Sequence, residues 1–370
     1  MVPVADPGAG LMTVRSEVDS AIRRVLDSGY YILGPEVEAF ERELAQYIGA
    51  EHAVGVANGT DGLALAIRAL GIGPGDEIIT VSHTAVATVA AIEQSGATPV
   101  LVDVESPYLT MDPDALSGAL SPRTRAVVPV HIYGQSADMD RILRFCREKS
   151  LALIEDCSQA HGATWRGQRL GSLGEVGVFS CYPTKNLGAL GDAGIVTTSS
   201  TDVANRMRRL RQYGWKDRNS SLEPGVNSRL DELQAAILRV KLSRLNESNS
   251  RRQAIAATYH KRLSDLPITV PAVRAETEHV FHLYVVQVQH RERLRSLLQL
   301  GGVQSAIHYP VPIHLQPAYR DRLRPLASMQ VTEEVSSRVL SIPMFPELAA
   351  TDVDLVCEAL RSLTLADGTD

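Results

Sequence analysis

Between residues 51 and 200 the chain alternates short apolar runs with segments of helical period, and no other feature restricts its fold as much. The runs HAVGVA, DEIITVS, TPVLVDV, RAVVPVHI, LALIED, GEVGVFS and AGIVTTS read as strands. Between them, TDGLALAIRALGIG places Leu63, Ile67 and Leu70 at helical spacing and stops at Gly71. TAVATVAAIEQSG is a second helix, closed by Gly96, and ADMDRILRFCREKS a third, with Ile142, Leu143 and Cys146 on one face. Strands that are apolar nearly throughout, separated by helices, imply an α/β fold. Its sheet is mostly parallel and covered on both faces. Ligands of such sheets sit beyond the carboxyl ends of the strands.

The flanks differ. Residues 13–48 carry two amphipathic helical patterns around GYYILGPE, and residues 229–265 read as one long helix. Beyond it, HVFHLYVVQV is a strand, RERLRSLLQLGG a helix and VQSAIHYP another strand. A chain of 370 residues is long for one small domain. The expected division is a large domain over residues 1–240 and a smaller C-terminal α/β domain over 241–370, joined through the long helix.

A composition of 44% hydrophobic and 22% charged residues suits a soluble protein with a sizeable core. A net charge of -6 gives no general attraction to nucleic acid or anionic membrane. The basic stretch RMRRLRQYGW is expected to be a solvated helix face. The start, MVPVADPGAGLMTV, lacks the pattern of a signal peptide, and no run is long enough to span a bilayer. Four cysteines without a CxxC pair fit a reduced, cytoplasmic setting, and no spacing matches a metal site.

Several polar residues fall just after predicted strands. Asn58-Gly59-Thr60 lies between a strand and a helix N-terminus, where free N–H groups favour a phosphate; a plain turn with an N-cap threonine is the simpler alternative. Asp156 closes LALIED, and Gln159 follows three residues later. A carboxylate there could pair with a protonated ring nitrogen, as in pyridoxal phosphate, or cap a helix. His161 is expected to be a buried, hydrogen-bonded core residue. Ser180 ends VGVFS and could donate to a phosphate. Lys185 follows five residues beyond, in FSCYPTKNLGALGDAG, among turn formers and small residues. A lysine enclosed by apolar groups has a depressed pKa, and its neutral amine can condense with an aldehyde. Together these residues supply a phosphate anchor, a ring-nitrogen partner, a ring-oxygen partner and an amine.

The chain resembles the sugar aminotransferases of the DegT/DnrJ/StrS type, which are fold-type I pyridoxal phosphate enzymes. The likeness runs over nearly its whole length, through GYYILGPEVEAFERELAQYIGAEHAVGVANGTDGLALAIRALGIGPGDEII, HIYGQSADMD, IEDCSQAHGA, FSCYPTKNLGALGDAG, GVNSRLDELQAAIL and HYPVPIHLQPAY. It implies a seven-stranded sheet in the large domain and an internal aldimine on Lys185. Asp156 would face the pyridine nitrogen and Gln159 the ring hydroxyl, with Gly59, Thr60 and Ser180 at the phosphate. Asn227 would reach the cofactor of a neighbouring subunit, with Arg229 nearby, in a homodimer with shared sites. Where many relatives stack an aromatic residue on the ring, this chain has Ala85. Tyr133, Arg229, His308, Tyr309 and His314 become candidate substrate contacts, although His308 and His314 could equally pack within the small domain. The implied reaction is a two-stage transamination from an amino donor, L-glutamate in relatives, to a nucleotide-linked keto sugar. A cyclitol aminotransferase shares the motifs. A related dehydratase is disfavoured because such relatives replace the lysine with histidine. A cofactor-binding regulator is disfavoured by the intact Lys185, Asp156 and Asn227 set.

Overall fold

The computed structural model describes residues 1–323 and 328–366. Seven strands form the central sheet: β1 (His52–Val56), β2 (Glu77–Val81), β3 (Thr98–Val102), β4 (Thr124–Val127), β5 (Ala152–Asp156), β6 (Val176–Ser180) and β7 (Gly194–Thr198). Their order is β1-β7-β6-β5-β4-β2-β3. The pairs β2–β3, β2–β4, β4–β5 and β5–β6 are parallel. Strand β7 runs against both β6 and β1. Alternate side chains enter two separate cores. Ile79, Val81, Leu153 and Phe179 lie in one, and Ile78, Ile154, Val176 and Val178 in the other. Both faces are therefore dry, which is why these strands are apolar along their whole length.

Helices α1 (Pro7–Thr13), α2 (Arg15–Ser28) and α3 (Pro35–Ile48) precede the sheet. Helix α4 (Gly59–Ala69) starts at Asn58, whose side chain accepts from the Asp61 N–H at 2.8 Å, so the N-cap is Asn58 and not Thr60. Helix α5 (Val86–Gln94) follows β2, and α6 (Met139–Lys149) follows β4. Helix α7 (Thr201–Leu210) carries the basic stretch, which is only partly solvated. Arg206 pairs with Glu223 at 2.9 Å, and Arg211, just beyond the helix, is buried against Glu41 at 2.6 Å.

The expected long helix is two helices, α8 (Glu232–Leu242) and α9 (Leu245–Leu263). At the break the Ser243 hydroxyl donates to the Val240 carbonyl at 2.8 Å, and the Arg244 N–H turns to the Lys241 carbonyl at 3.0 Å. The break lets one stretch serve two bodies. Ala235 and Leu238 of α8 enter a core of the large sheet, and Ala256, Tyr259 and Leu263 of α9 enter a separate C-terminal core. That core is built on the antiparallel pair β8 (Tyr284–Gln287) and β9 (Val339–Ile342), with α10 (Arg291–Leu300), α11 (Gln330–Arg338) and α12 (Ala350–Ala366) around it. Two expected strands are shorter or absent. HVFHLYVVQV pairs only over its second half, because Phe281 has a φ of 43° and leaves the extended region. VQSAIHYP makes two isolated bridges, Val303 to Val2 and Ala306 to Ser341, rather than a strand.

Three buried carboxylates organise this frame, and none of them was expected from the sequence pattern. Glu155 accepts the N–H groups of Gly171, Leu173 and Gly174 at 2.8–3.0 Å. It also meets His131 Nε2 at 3.2 Å. His131 Nδ1 accepts from the Ala137 N–H, so Nε2 carries the proton. Cys157 lies close to both, but its thiol is pushed well up by burial and the carboxylate is already fully used. This trio is a brace. Glu41 joins the Gly55 N–H to Arg211. Glu232, on the first turn of α8, accepts the N–H groups of Gly34, Glu36 and Val37 at 2.8–2.9 Å and caps α3 from outside.

Among the described residues, no helix is long and apolar enough to cross a membrane. Replacing Glu232 by Ala strands three N–H groups at the buried end of α3. Each unpaired buried donor costs about 1–3 kcal/mol, so Glu232→Ala should lower unfolding stability by at least ~2 kcal/mol in a urea titration. A loss within ~0.5 kcal/mol would show that water replaces the cap.

Candidate active site

The carboxyl ends of β1, β2, β4, β5 and β6 share one edge of the sheet, and the N-terminal end of the reversed β7 joins them there. A cleft of about 530 Å³ opens at this edge. Its wall includes Gly59, Thr60, Ala85, Asp156, Gln159, Ser180 and Lys185, seven residues singled out from the sequence.

The β1–α4 turn makes one end of the cleft. Asn58 occupies the Asp61 N–H, which leaves the Gly59 and Thr60 N–H groups facing outward at the positive end of the α4 dipole. Among the described residues the Thr60 hydroxyl has no partner. Glycine is required here by contact. A Cβ on Gly59 would lie 2.7 Å from Ser180 Cβ, and one on Gly194 would lie 2.4 Å from the Asn58 carbonyl carbon. The turn thus seats directly on the ends of β6 and β7. The cup it forms is made mainly of backbone donors, with the Thr60 and Ser180 hydroxyls beside it.

Asp156 is nearly buried at the end of β5. Its Oδ2 accepts from the Thr88 hydroxyl at 2.9 Å and its Oδ1 from the Ser158 N–H at 3.2 Å. Thr84 supports Thr88 from one turn earlier at 3.2 Å. No helix begins at Asp156, so it caps none. Sequence reasoning missed Thr84 and Thr88. Their spacing of four residues, at the start of a helix that follows a strand, was the available signal. Ala85 is the N-cap position of α5, and its neighbours Thr84, Ala87 and Thr88 are also small.

Lys185 sits in the 181–193 loop between β6 and β7. The loop is tied internally by Cys181 N–H to Ala193 O, Ala189 N–H to Cys181 O and Lys185 N–H to Tyr182 O, each at 2.8 Å. Helices α8 and α9 hold it from behind. Lys241 Nζ donates to the Gly188 carbonyl at 2.7 Å, Gln234 accepts from the Leu190 N–H at 2.9 Å, and Asn186 bonds Asn249 at 2.9 Å. Desolvation by the surrounding protein lowers the Lys185 pKa to about 8, against a smaller opposing pull from Asp156. His161 is buried beside it with its ring against Phe179 at 5.3 Å. Contrary to expectation, neither of its ring nitrogens makes a hydrogen bond of good geometry. Burial, then the nearby Lys185 charge, brings its pKa down to about 3, so it is a neutral wall.

The remaining candidates lie outside the cleft wall. Tyr133 is buried, and its hydroxyl meets His83 Nε2 at 2.7 Å and donates to the His308 carbonyl. His308 Nδ1 meets the Ser341 hydroxyl at 2.8 Å. Tyr309 accepts from Gln159 Nε2 at 3.0 Å. His314 is buried between Ser82 at 2.7 Å and Glu333 at 3.2 Å. Asn227 is exposed and Arg229 half-buried, on either side of Ser228, whose hydroxyl accepts from the Ala57 N–H at 3.1 Å.

The sequence profile of the DegT/DnrJ/EryC1/StrS aminotransferase family matches residues 13–361. A dTDP-3-amino-3,4,6-trideoxy-alpha-D-glucose transaminase of Streptomyces venezuelae is 46% identical over 97% of this chain and 95% of its own length. A dTDP-3-amino-3,6-dideoxy-alpha-D-galactopyranose transaminase of Aneurinibacillus thermoaerophilus is 46% identical over 98% and 99%. The crystal structure of S. venezuelae DesV superposes with a TM-score of 0.96, at 46% identity, over 98% of both chains.

An amine with a pKa near 8 is mostly neutral at a pH where a solvated lysine is protonated. Cofactor uptake by the cofactor-free protein, followed in the visible spectrum, should therefore rise with pH through about 8 and level off above it. A rise centred near the ordinary lysine value of about 10.4 would mean that the cleft is wet.

Proposed function

The chain belongs to the DegT/DnrJ/EryC1/StrS aminotransferase family, and on that premise we propose that it moves an amino group from L-glutamate to carbon 3 of a dTDP-linked keto sugar. It is a pyridoxal phosphate-dependent aminotransferase of fold type I. What supports the transaminase reading in the structure is the joining, at one sheet edge, of a backbone phosphate cup, a fixed carboxylate and an amine with a pKa near 8.

The residues present fit that cofactor. The Gly59 and Thr60 N–H groups and the hydroxyls of Thr60 and Ser180 would hold its phosphate. Asp156, oriented by Thr88 and Ser158, would hold the proton on the ring nitrogen. The second N–H of Gln159 would meet the ring oxygen. When bound, pyridoxal phosphate supplies an aldehyde that captures amines and a ring that delocalises carbanion charge. Lys185 would hold the aldehyde carbon and, once displaced by a substrate amine, move a proton at its Nζ between substrate carbon and cofactor carbon. Ala85 and Ala87 give their part of the cleft wall small side chains, and Tyr182 is the aromatic residue among those that line the cleft.

The choice of sugar rests on the two relatives, whose names share a dTDP group, a 3-amino group and a 6-deoxy carbon. Purified protein should convert its bound cofactor to the amine form with L-glutamate. It should then aminate a dTDP-linked 3-keto-6-deoxyhexose in preference to 4-keto isomers and to keto-inositols. Lys185→Ala should lower turnover by about 10²–10⁴-fold or more. A keto-inositol turned over faster than any nucleotide sugar would overturn the sugar reading and leave the transaminase.

The site is also proposed to be shared between two copies. Asn227 is exposed and outside its own cleft wall, as a residue that serves a partner's phosphate would be. Equal mixtures of Lys185→Ala and Asn227→Asp subunits would then contain hybrids with one intact site, and activity should return to about a quarter of the wild-type value. No recovery after demonstrated subunit exchange would place Asn227 within its own chain's machinery.

A further inference from the structure

Gln159 is held at both ends of its carboxamide. Oε1 accepts from the Tyr133 N–H at 2.7 Å, and Nε2 donates to the Tyr309 hydroxyl at 3.0 Å. The first partner is backbone of the connection that follows β4 in the large domain, presented by a residue with a φ of 60°. The second comes from the C-terminal body, where the preceding His308 is anchored to Ser341 of β9. A further path links the same two bodies. The Tyr133 hydroxyl donates to the His308 carbonyl, so His83 Nε2 must donate to Tyr133 and its Nδ1 accepts from the Ser336 hydroxyl at 3.3 Å. Burial holds the Tyr309 phenol up to about 12, so it stays protonated. The terminal torsion of a glutamine is broad and nearly two-fold. The Tyr133 N–H fixes which end of the carboxamide is oxygen; without the Tyr309 contact the carboxamide plane is free to tilt about that bond and carry its remaining N–H away from a ring oxygen in the cleft.

We propose that Tyr309 is a positioning residue: its hydroxyl fixes the orientation of Gln159, so the C-terminal body sets the hydrogen bond that Gln159 gives the cofactor's ring oxygen. This rests on Gln159 being the ring-oxygen partner, as read above. One N–H of Gln159 is committed to Tyr309, and the other remains for that oxygen. The charged and titratable groups that bear on Lys185 are Asp156, Cys181, His161, His282 and His308. Tyr309→Phe alters none of them directly.

The test is the pH midpoint of the visible band of the cofactor-loaded protein. When the lysine-linked nitrogen loses its proton, the ring oxygen carries its charge alone. An N–H donor stabilises that state, so its loss moves the midpoint up. Tyr309→Phe removes one hydroxyl and keeps the ring packing. It should raise the midpoint by about 0.5–1 unit. Gln159→Leu should raise it at least as far, and the double variant should match Gln159→Leu. A midpoint unchanged in Tyr309→Phe but raised in Gln159→Leu overturns the positioning role alone. Additive shifts in the double variant also overturn it, since Tyr309 would then act without Gln159. No shift in Gln159→Leu removes the ring-oxygen reading itself, and the proposal with it.

Discussion

The reversal of β7 is the constraint on which the active-site cleft depends. Parallel neighbours need a crossover, which carries the chain to the far end of the sheet and back. Antiparallel β6 and β7 need none, so the whole 181–193 loop stays at the ligand edge. The same reversal brings Gly194 against the Asn58–Gly59 turn, so the lysine loop and the β1–α4 turn share one seam of backbone contact. Two parts of the cleft wall are thus fixed relative to each other by close contact of their main chains.

The loop is supported from a second direction. Gln234, Lys241 and Asn249 reach it from α8 and α9, on either side of the helix break at Ser243–Arg244. The C-terminal body also returns to the sheet. Asp103, just after β3, accepts the N–H groups of Val331 and Thr332 at 3.0 and 2.8 Å and so caps α11 across the boundary. Ile313, Tyr319, Leu323 and Met329 pack on Val89 and Leu101. Other hydrogen bonds between the two bodies link Tyr309 to Gln159 of the cleft wall, His308 to Tyr133 and His314 to Ser82.

Much of this was legible in the sequence. Each of the seven central strands follows from an apolar run, because a sheet buried on both faces leaves no polar side to blur the pattern. Strand direction was not legible for β7, since a buried antiparallel strand has the same composition as a parallel one. The break between α8 and α9 was hidden because both halves keep a helical period and only their packing partner changes. In the candidate site, the residues singled out at strand ends share one cleft wall, because their position follows from the fold class. The residues from other elements were harder. Tyr133 and His314 read as polar groups available to a substrate, yet both spend their polar atoms on bonds within the chain. Residue type shows what a group can bond, and only the packed structure shows what it has bonded. Thr88 was passed over for the converse reason: an ordinary helical threonine becomes significant only once Asp156 is seen beside it.

Glu232 closes α3 with its side chain, although the two segments are nearly two hundred residues apart in sequence. The loop it secures, Tyr30-Tyr31-Ile32, is exposed and apolar, and Ile32 bridges Asp231 at the start of α8. The amides of Gly34, Glu36 and Val37 are consequently protected from solvent by a carboxylate on another helix, and not by the ladder of their own. Their hydrogen exchange reports on the contact between α3 and α8: an opening that lifts α8 away exposes all three at once. The chain carries in those three amides an internal probe of how firmly the helix behind the lysine loop is seated.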